Sequence, residues 1–168
     1  MILNNTKELI DELEQFNTWI TSLKNMKEDL FFTPIKEGKW SPAEIISHIT
    51  FWDRYILDET LPQMKTDADI TSIAFEPLNK KAAIYALSGV SMNHLLETQI
   101  ETRKELVSEL RKKAEEEFFA TFTLNGETID EYSGYPHTMY NYFASFAWHD
   151  KHHKQQIENF LEVNKVQL

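Results

Sequence analysis

Gly38-Lys39-Trp40-Ser41-Pro42-Ala43-Glu44-Ile45-Ile46-Ser47-His48-Ile49 is the stretch that decides the fold. Ser41 has a hydroxyl that can accept from a free N–H of the next turn, as N-caps do. Pro42 suits the first helical position, where its missing N–H is no loss. Glu44, three residues after Ser41, completes a capping box, and Trp40 before the cap can pack back on Ile45 as a hydrophobic staple. A helix therefore starts at Pro42. Ile45, His48, Ile49, Trp52, Tyr55 and Ile56 share one of its faces, and Pro62 ends it or lies just beyond. The anomaly on that apolar face is His48.

Outward from this helix the same periodicity recurs. Leu3, Ile10, Leu13, Phe16, Ile20 and Leu23 mark helix 1 over residues 4–29, with Asn5 or Thr6 as its cap. Residues 31–39, with Thr33-Pro34 and Gly38, form a connector. Residues 65–82 are polar, contain Pro77, and read as a long connection with one short turn of helix, the kind that crosses over a bundle or rims a pocket. Residues 83–87 begin the next helix and Gly89 marks a bend. Met92, Leu95, Leu96, Gln99, Leu106 and Leu110 define helix 3 over residues 90–115. Residues 119–129 alternate around Asn125-Gly126, the signal of a small β-hairpin between helices 3 and 4. After a turn at 131–136, helix 4 runs over residues 137–164, with Tyr142, Ser145, Phe146, His149, His153, Ile157, Phe160 and Leu161 inward. The expectation is an all-α four-helix bundle, one domain over residues 1–168, with no internal repeat.

Composition bounds what such a bundle can do. The 168 residues are 42% hydrophobic and 12% aromatic, enough for one core, and contain few Gly and Pro. There is no cysteine, so thiolate metal sites and cysteine nucleophiles are excluded and any metal must rest on His, Asp or Glu. The net charge of −10 and the lack of a Lys/Arg stripe argue against nucleic acid and against an anionic membrane surface. The Arg111-Lys112-Lys113 run is cancelled at once by Glu115-Glu116-Glu117. Residues 1–13 lack the pattern of a signal peptide, and no segment reaches the roughly 18 apolar residues of a membrane span. A cytoplasmic protein is expected.

His149 and His153 are one helical turn apart on one face, so both imidazoles can converge on one ion. Two ligands hold a metal weakly, and His48 is the best third candidate because a histidine on an apolar face must be either a ligand or hydrogen-bonded. Three histidines would leave an open coordination position, the catalytic pattern. His94 is a substitute ligand without a partner at helical spacing. His152 is displaced from the pair and reads as solvated or supporting, and His137 as a surface or turn residue. Asn141, Ser145 and Gln156 could orient a ligand or touch substrate, or simply be solvated. Asp150 and Glu44 could orient histidines, or solubilise and cap. Trp52 and Trp148 read as packing residues. No phosphate loop, dinucleotide fingerprint, HExxH or nucleophile elbow is present.

The run from Gly38 to Ile49 resembles the helix 2 entry of the DinB-like proteins, which include the YfiT-type metal-dependent hydrolases. The run His149-Asp150-Lys151-His152-His153-Lys154-Gln155-Gln156-Ile157 resembles that family's helix 4 motif, usually His-x-x-His-His-Arg-Gly-Gln. The resemblance implies a four-helix bundle of up-down-down-up topology, a nickel or zinc ion on His48, His149 and His153, and a homodimer. It also implies a small-molecule substrate. Members with known chemistry include thiol S-transferases that use low-molecular-weight thiols such as bacillithiol, mycothiol or glutathione, and others are described as hydrolases. The sequence departs from the motif at Lys154-Gln155, where Arg-Gly is usual. That leaves the histidine pair intact and puts in question contacts that need the Gly or the Arg.

Three functions follow from these readings. A metal-dependent enzyme would activate water, as a hydrolase, or a thiol, as an S-transferase. The lack of an obvious Glu base beside the histidine pair leans toward the thiol. A non-enzymatic protein would bind a small molecule or metal in the same pocket. A structural dimer would use the histidines only to fill the bundle.

Overall fold

The computed structural model describes residues 6–165. Four long helices build the bundle: α1 (Thr6–Ser22), α3 (Pro42–Tyr55), α5 (Met92–Arg111) and α6 (Met139–Lys165). Two shorter ones, α2 (Glu28–Phe31) and α4 (Phe75–Ala86), lie in the connections, and two two-residue strands, β1 (Asp69–Ile70) and β2 (Thr123–Leu124), pair in parallel. Cross-helix bonds give the direction of each long helix. Arg111 reaches Asp11 and Glu14 while Lys24 reaches Glu97, so α1 and α5 are antiparallel. Thr50 meets Gln99 and Arg54 meets Glu105, so α3 and α5 run the same way. Glu12 pairs with Lys151 on a face shared by Glu8 and Tyr140, so α1 and α6 are parallel. The result is up-down-down-up.

The α3 start is as the sequence reads. Glu44 N donates to Ser41 Oγ at 3.2 Å, and Ser41 N donates back to Glu44 Oε1 at 3.0 Å. Helix 1 is shorter than predicted, and its proposed start at residue 4 and cap at Asn5 lie outside the described residues. After Ser22 the chain tightens into a 3₁₀ turn (Leu23–Asn25) and extends at Met26. Thr21 Oγ1 donates to the Asn17 carbonyl at 2.8 Å, one of the local side-chain bonds that compete with helix propagation. The far end of α3 widens into a π-turn (Ile56–Thr60) and closes in a 3₁₀ turn holding Pro62.

The largest departure is α4. Residues 65–82 read as connection, yet the helix starts at Phe75 with Pro77 in its first turn, where no N–H is needed. Ala82 and Ala86, small and fully buried, let α4 lie close against α3, and Ser47 Oγ donates to the Ala82 carbonyl at 2.7 Å. The predicted hairpin is reduced to its turn. Asn125 and Gly126 both take positive φ (52° and 81°), and Leu124 and Glu127 exchange both backbone bonds. Beyond that pair the strand leaves its neighbour and joins β1 instead, with Asp69 opposite Thr123 and Ile70 opposite Leu124.

Two apolar clusters fill the bundle. One centres on Leu13, Ile56, Leu106, Leu110 and Phe143, the other on Ile20, Phe31, Ile45, Ile46 and Leu96. Between the helices runs a buried polar seam. Arg103 is fully buried and uses all of its N–H groups: Nε and Nη2 to Asp53 (2.8 and 3.2 Å), Nη1 and Nη2 to Asp150 (2.8 and 3.1 Å), and Nη1 to the Leu13 carbonyl (3.0 Å). Its guanidinium also lies 4.8 Å from the Phe16 ring centre. Gln99 Nε2 donates to Asp53 and Thr50 Oγ1 donates to Gln99 Oε1, which extends the seam to α3 and α5. No described helix is long and apolar enough to cross a membrane.

Candidate metal centre

The helix faces that carry His48, midway along α3, and His149 and His153, within α6, face one another. One ring nitrogen from each lies within 4.8 Å of the others, close enough to bind one ion. The ring centres of His48 and His153, and of His149 and His153, are 5.1 Å apart. His48 and His153 are buried, while His149 is exposed and forms the open side of the group.

Hydrogen bonds decide which nitrogen the His48 and His153 rings offer. Asn79 Oδ1, on α4, lies 2.8 Å from Trp52 Nε1 and 2.8 Å from His48 Nδ1. An indole N–H can only donate, so the Asn79 atom there is the acceptor and His48 Nδ1 must carry the proton. The lone pair of His48 is then on Nε2. On α6, His153 Nδ1 donates to Gln156 Oε1 at 2.9 Å, and its Nε2 is buried without a partner. A buried nitrogen lone pair with no donor facing it is costly unless a cation completes it. This is the arrangement of metal-binding histidines, whose second ring N–H is held by an amide or carboxylate oxygen. Burial pushes the pKa of both His48 and His153 down to about 4, against the upward pull of Asn79 and Gln156. Burial, with His152 nearby, also lowers that of His149. All three rings are therefore neutral near pH 7, the form a metal requires. The donor set suits zinc, nickel or another borderline divalent ion.

The histidines border a cavity of about 500 Å³ between α3, α4, α6 and the two crossover segments. Its walls are aromatic, from Trp52, Phe75, Tyr132, Tyr142 and Phe146, with Ser72, Asn125, Asn141 and Ser145 as neutral polar points. A larger, shallower groove of about 800 Å³ along Leu57, Leu61 and Ser108 is bordered by Glu101, Lys104, Glu105 and Lys113 and holds none of the histidines.

The other singled-out residues divide. Gln156 does orient a histidine, and Asn141 and Ser145 do line the cavity, although Ser145 is exposed rather than inward. Asp150 is neither a surface charge nor a hydrogen-bond partner of a histidine. It is buried on Arg103, and burial pushes its pKa up to about 6 against the pull of that guanidinium. His152 stands outside the group, stacked on Trp148 at 5.6 Å, and Trp148 is 64% exposed rather than packed in the core. His94 is exposed on α5, where its N–H closes the Ser91 cap. His137 corrects the sequence reading most clearly. It precedes α6, is buried, stacks on Phe122 and lines the cavity, with Nε2 unpartnered. Asn79, Asp130 and Arg103 carry no motif or spacing that marks them in the sequence. Gln155, at the departure from the motif, bonds Asn159 on the exposed face and leaves the histidines untouched.

The model of the DinB superfamily matches residues 11–157. The chain belongs to that superfamily. No curated protein matches it by sequence. Among solved structures, YfiT from Bacillus subtilis, described as a probable metal-dependent hydrolase with an unusual four-helix bundle topology, superposes with a TM-score of 0.72 at 14% identity, covering 95% of this chain and 87% of that one. An uncharacterised protein from Clostridium difficile 630 gives 0.71 at 18% identity, with 97% and 99% covered. DfsB, a sibling lethal factor precursor, gives 0.70 at 13% identity, with 97% and 98% covered. At these identities the likeness is one of fold.

Proposed function

We propose that this DinB-superfamily protein is a metal-dependent hydrolase in which His48, His149 and His153 hold a divalent zinc or nickel ion at the inner end of the aromatic cavity. One observation carries the reading: the buried Nε2 of His153 has no hydrogen-bond partner among the described residues, beside a His48 whose Nδ1 proton is fixed by Asn79. The YfiT structure, described in the same terms, supports it. A bound ion of this kind lowers the pKa of a coordinated water toward neutrality and polarises a carbonyl. The chain's own residues do the rest. Asn79 and Gln156 fix the ring orientations, and Trp52, Tyr142 and Phe146 exclude bulk water and seat an apolar part of the substrate.

Thiol transfer, expected from the resemblance, fits the cavity less well. Glutathione and bacillithiol carry carboxylates, and none of the described lining residues is Lys or Arg. The test is direct. Protein prepared without a His-tag is analysed for metal beside His149→Ala, then assayed against aryl esters and amides and, separately, against thiols with an electrophilic acceptor. We expect about one equivalent of zinc or nickel, lost in the variant, and ester or amide hydrolysis that disappears on chelation and returns with the ion. Turnover that survives full metal removal would sink the proposal, and thiol conjugation without hydrolysis would redirect it.

A further inference from the structure

The cavity has a second polar pole besides the histidines. Asp130 lines it, and its carboxylate is fixed rather than free: Oδ2 accepts from Ser133 Oγ (2.8 Å) and Asn141 Nδ2 (3.2 Å), and Oδ1 from the Tyr132 N–H (3.3 Å). Although burial works the other way, these bonds hold its pKa below the usual carboxylate value, so it is ionised at neutral pH. A carboxylate can accept about four hydrogen bonds, and only three are supplied, which leaves capacity on Oδ1. His137, 9% exposed, lines the same cavity with its Nε2 buried and unpartnered, a second polar group without a partner. Around both stand aromatic rings, among them Tyr132, which is 91% exposed at the mouth. No Lys or Arg among the described lining residues offsets the charge.

We infer that this pole is a recognition subsite for an ammonium group, so that the substrate is an amine-bearing ester or amide with its cation at Asp130. The inference rests on the hydrolase reading for the word substrate, but the subsite itself stands on its own residues. An anchored carboxylate offers a charge-assisted hydrogen bond, and aromatic faces attract cations where anions find no counterpart. The protein's net charge of −10 draws a cation toward the mouth in the same sense.

Three probes with one ring and different ends test it: phenethylamine, phenethyl alcohol and 3-phenylpropionate. Calorimetric titration at pH 7 is run first on metal-free protein, where no probe can ligate an ion, and then on zinc-loaded protein. The amine is expected to bind metal-free protein about tenfold more tightly than the alcohol, the gain of one charge-assisted bond. Asp130→Asn, shown to be folded by a wild-type circular-dichroism spectrum and a cooperative thermal transition, should bring amine and alcohol to parity. Equal binding of amine and alcohol by the wild type, tighter binding of the propionate to metal-free protein, or a folded Asp130→Asn that keeps the preference would each overturn the subsite. Should Asp130→Asn fail to fold, Tyr132→Ala replaces it, since that ring is exposed. A twofold to threefold fall in the amine preference, on the order of one exposed cation–π contact, supports the subsite, and an unchanged preference overturns it. Wild-type protein that prefers the amine yet takes up no zinc would sink the hydrolase reading alone.

Discussion

Two buried polar groups lie side by side in this bundle and obey opposite rules. Around Arg103 every donor has an acceptor: five N–H groups meet two carboxylates and a carbonyl. Around His48 and His153 each ring is satisfied on one nitrogen only, and the Nε2 of His153 has no hydrogen-bond partner among the described residues. The adjacent α6 residues His149 and Asp150 point one into each group. A closed network fastens helices together, whereas an open one is incomplete until something binds. The difference separates a structural polar cluster from a site more sharply than burial does, because both are buried.

The contrast can be broken first at its closed side. Arg103→Ala leaves Asp53 and Asp150 buried without their cation, and we expect a loss of about 3–5 kcal/mol in urea unfolding. A loss below about 1 kcal/mol would mean that the network is not what joins α3, α5 and α6.

The next effect is on pH. In metal-free protein His48 and His153 have folded pKa values of about 4, below the ordinary 6.5. Between those values the unfolded chain binds protons that the folded chain refuses, so stability is full above pH 6.5 and falls as pH drops toward 4. Asp150, with its raised pKa, titrates with the opposite sign, so the comparison is between wild type and His48→Gln. The variant should show a shallower fall between pH 6.5 and 4. Superimposable profiles would argue against burial of neutral histidine.

Asn79→Ala sharpens the open side. It removes the acceptor of both His48 Nδ1 and Trp52 Nε1, and we expect metal affinity to drop by about 10–100-fold in a competition assay with a chelator. The smallest expected effect is that of His149→Ala on metal-free stability. That exposed side chain should change unfolding by no more than about 0.5 kcal/mol, even though the same substitution removes the ion. A large stability loss would point to a merely structural histidine cluster.

The sequence was legible where local rules act alone. The Ser41-Pro42-Glu44 entry, the His149/His153 spacing and the long apolar stripes needed only helix geometry, and all three stand in the structure. Tertiary context was harder to read. Pro77 looks like a breaker but sits in a first turn, so the helix expected to begin at residues 83–87 starts at Phe75 instead and takes in Asn79. Arg103 and Asp53 look like surface charges until α6 brings Asp150 to them. His137 has no periodicity to place it, and its burial depends on Phe122, in the other half of a segment that only the folded bundle assembles.

The parallel pairing of β1 with β2 has a kinetic consequence. Its partners are 54 residues apart and only two residues long on each side, so closing that loop gains too few bonds to be stable before the helices have docked. The ribbon should be the last element to form and the first to open. Its backbone amides, Thr123 N to the Ala68 carbonyl and Asn125 N to the Ile70 carbonyl, would then exchange with solvent ahead of those in α3 and α5. Leu124 of β2 lines the cavity, so opening of the ribbon would loosen that part of its rim while the helices stay packed.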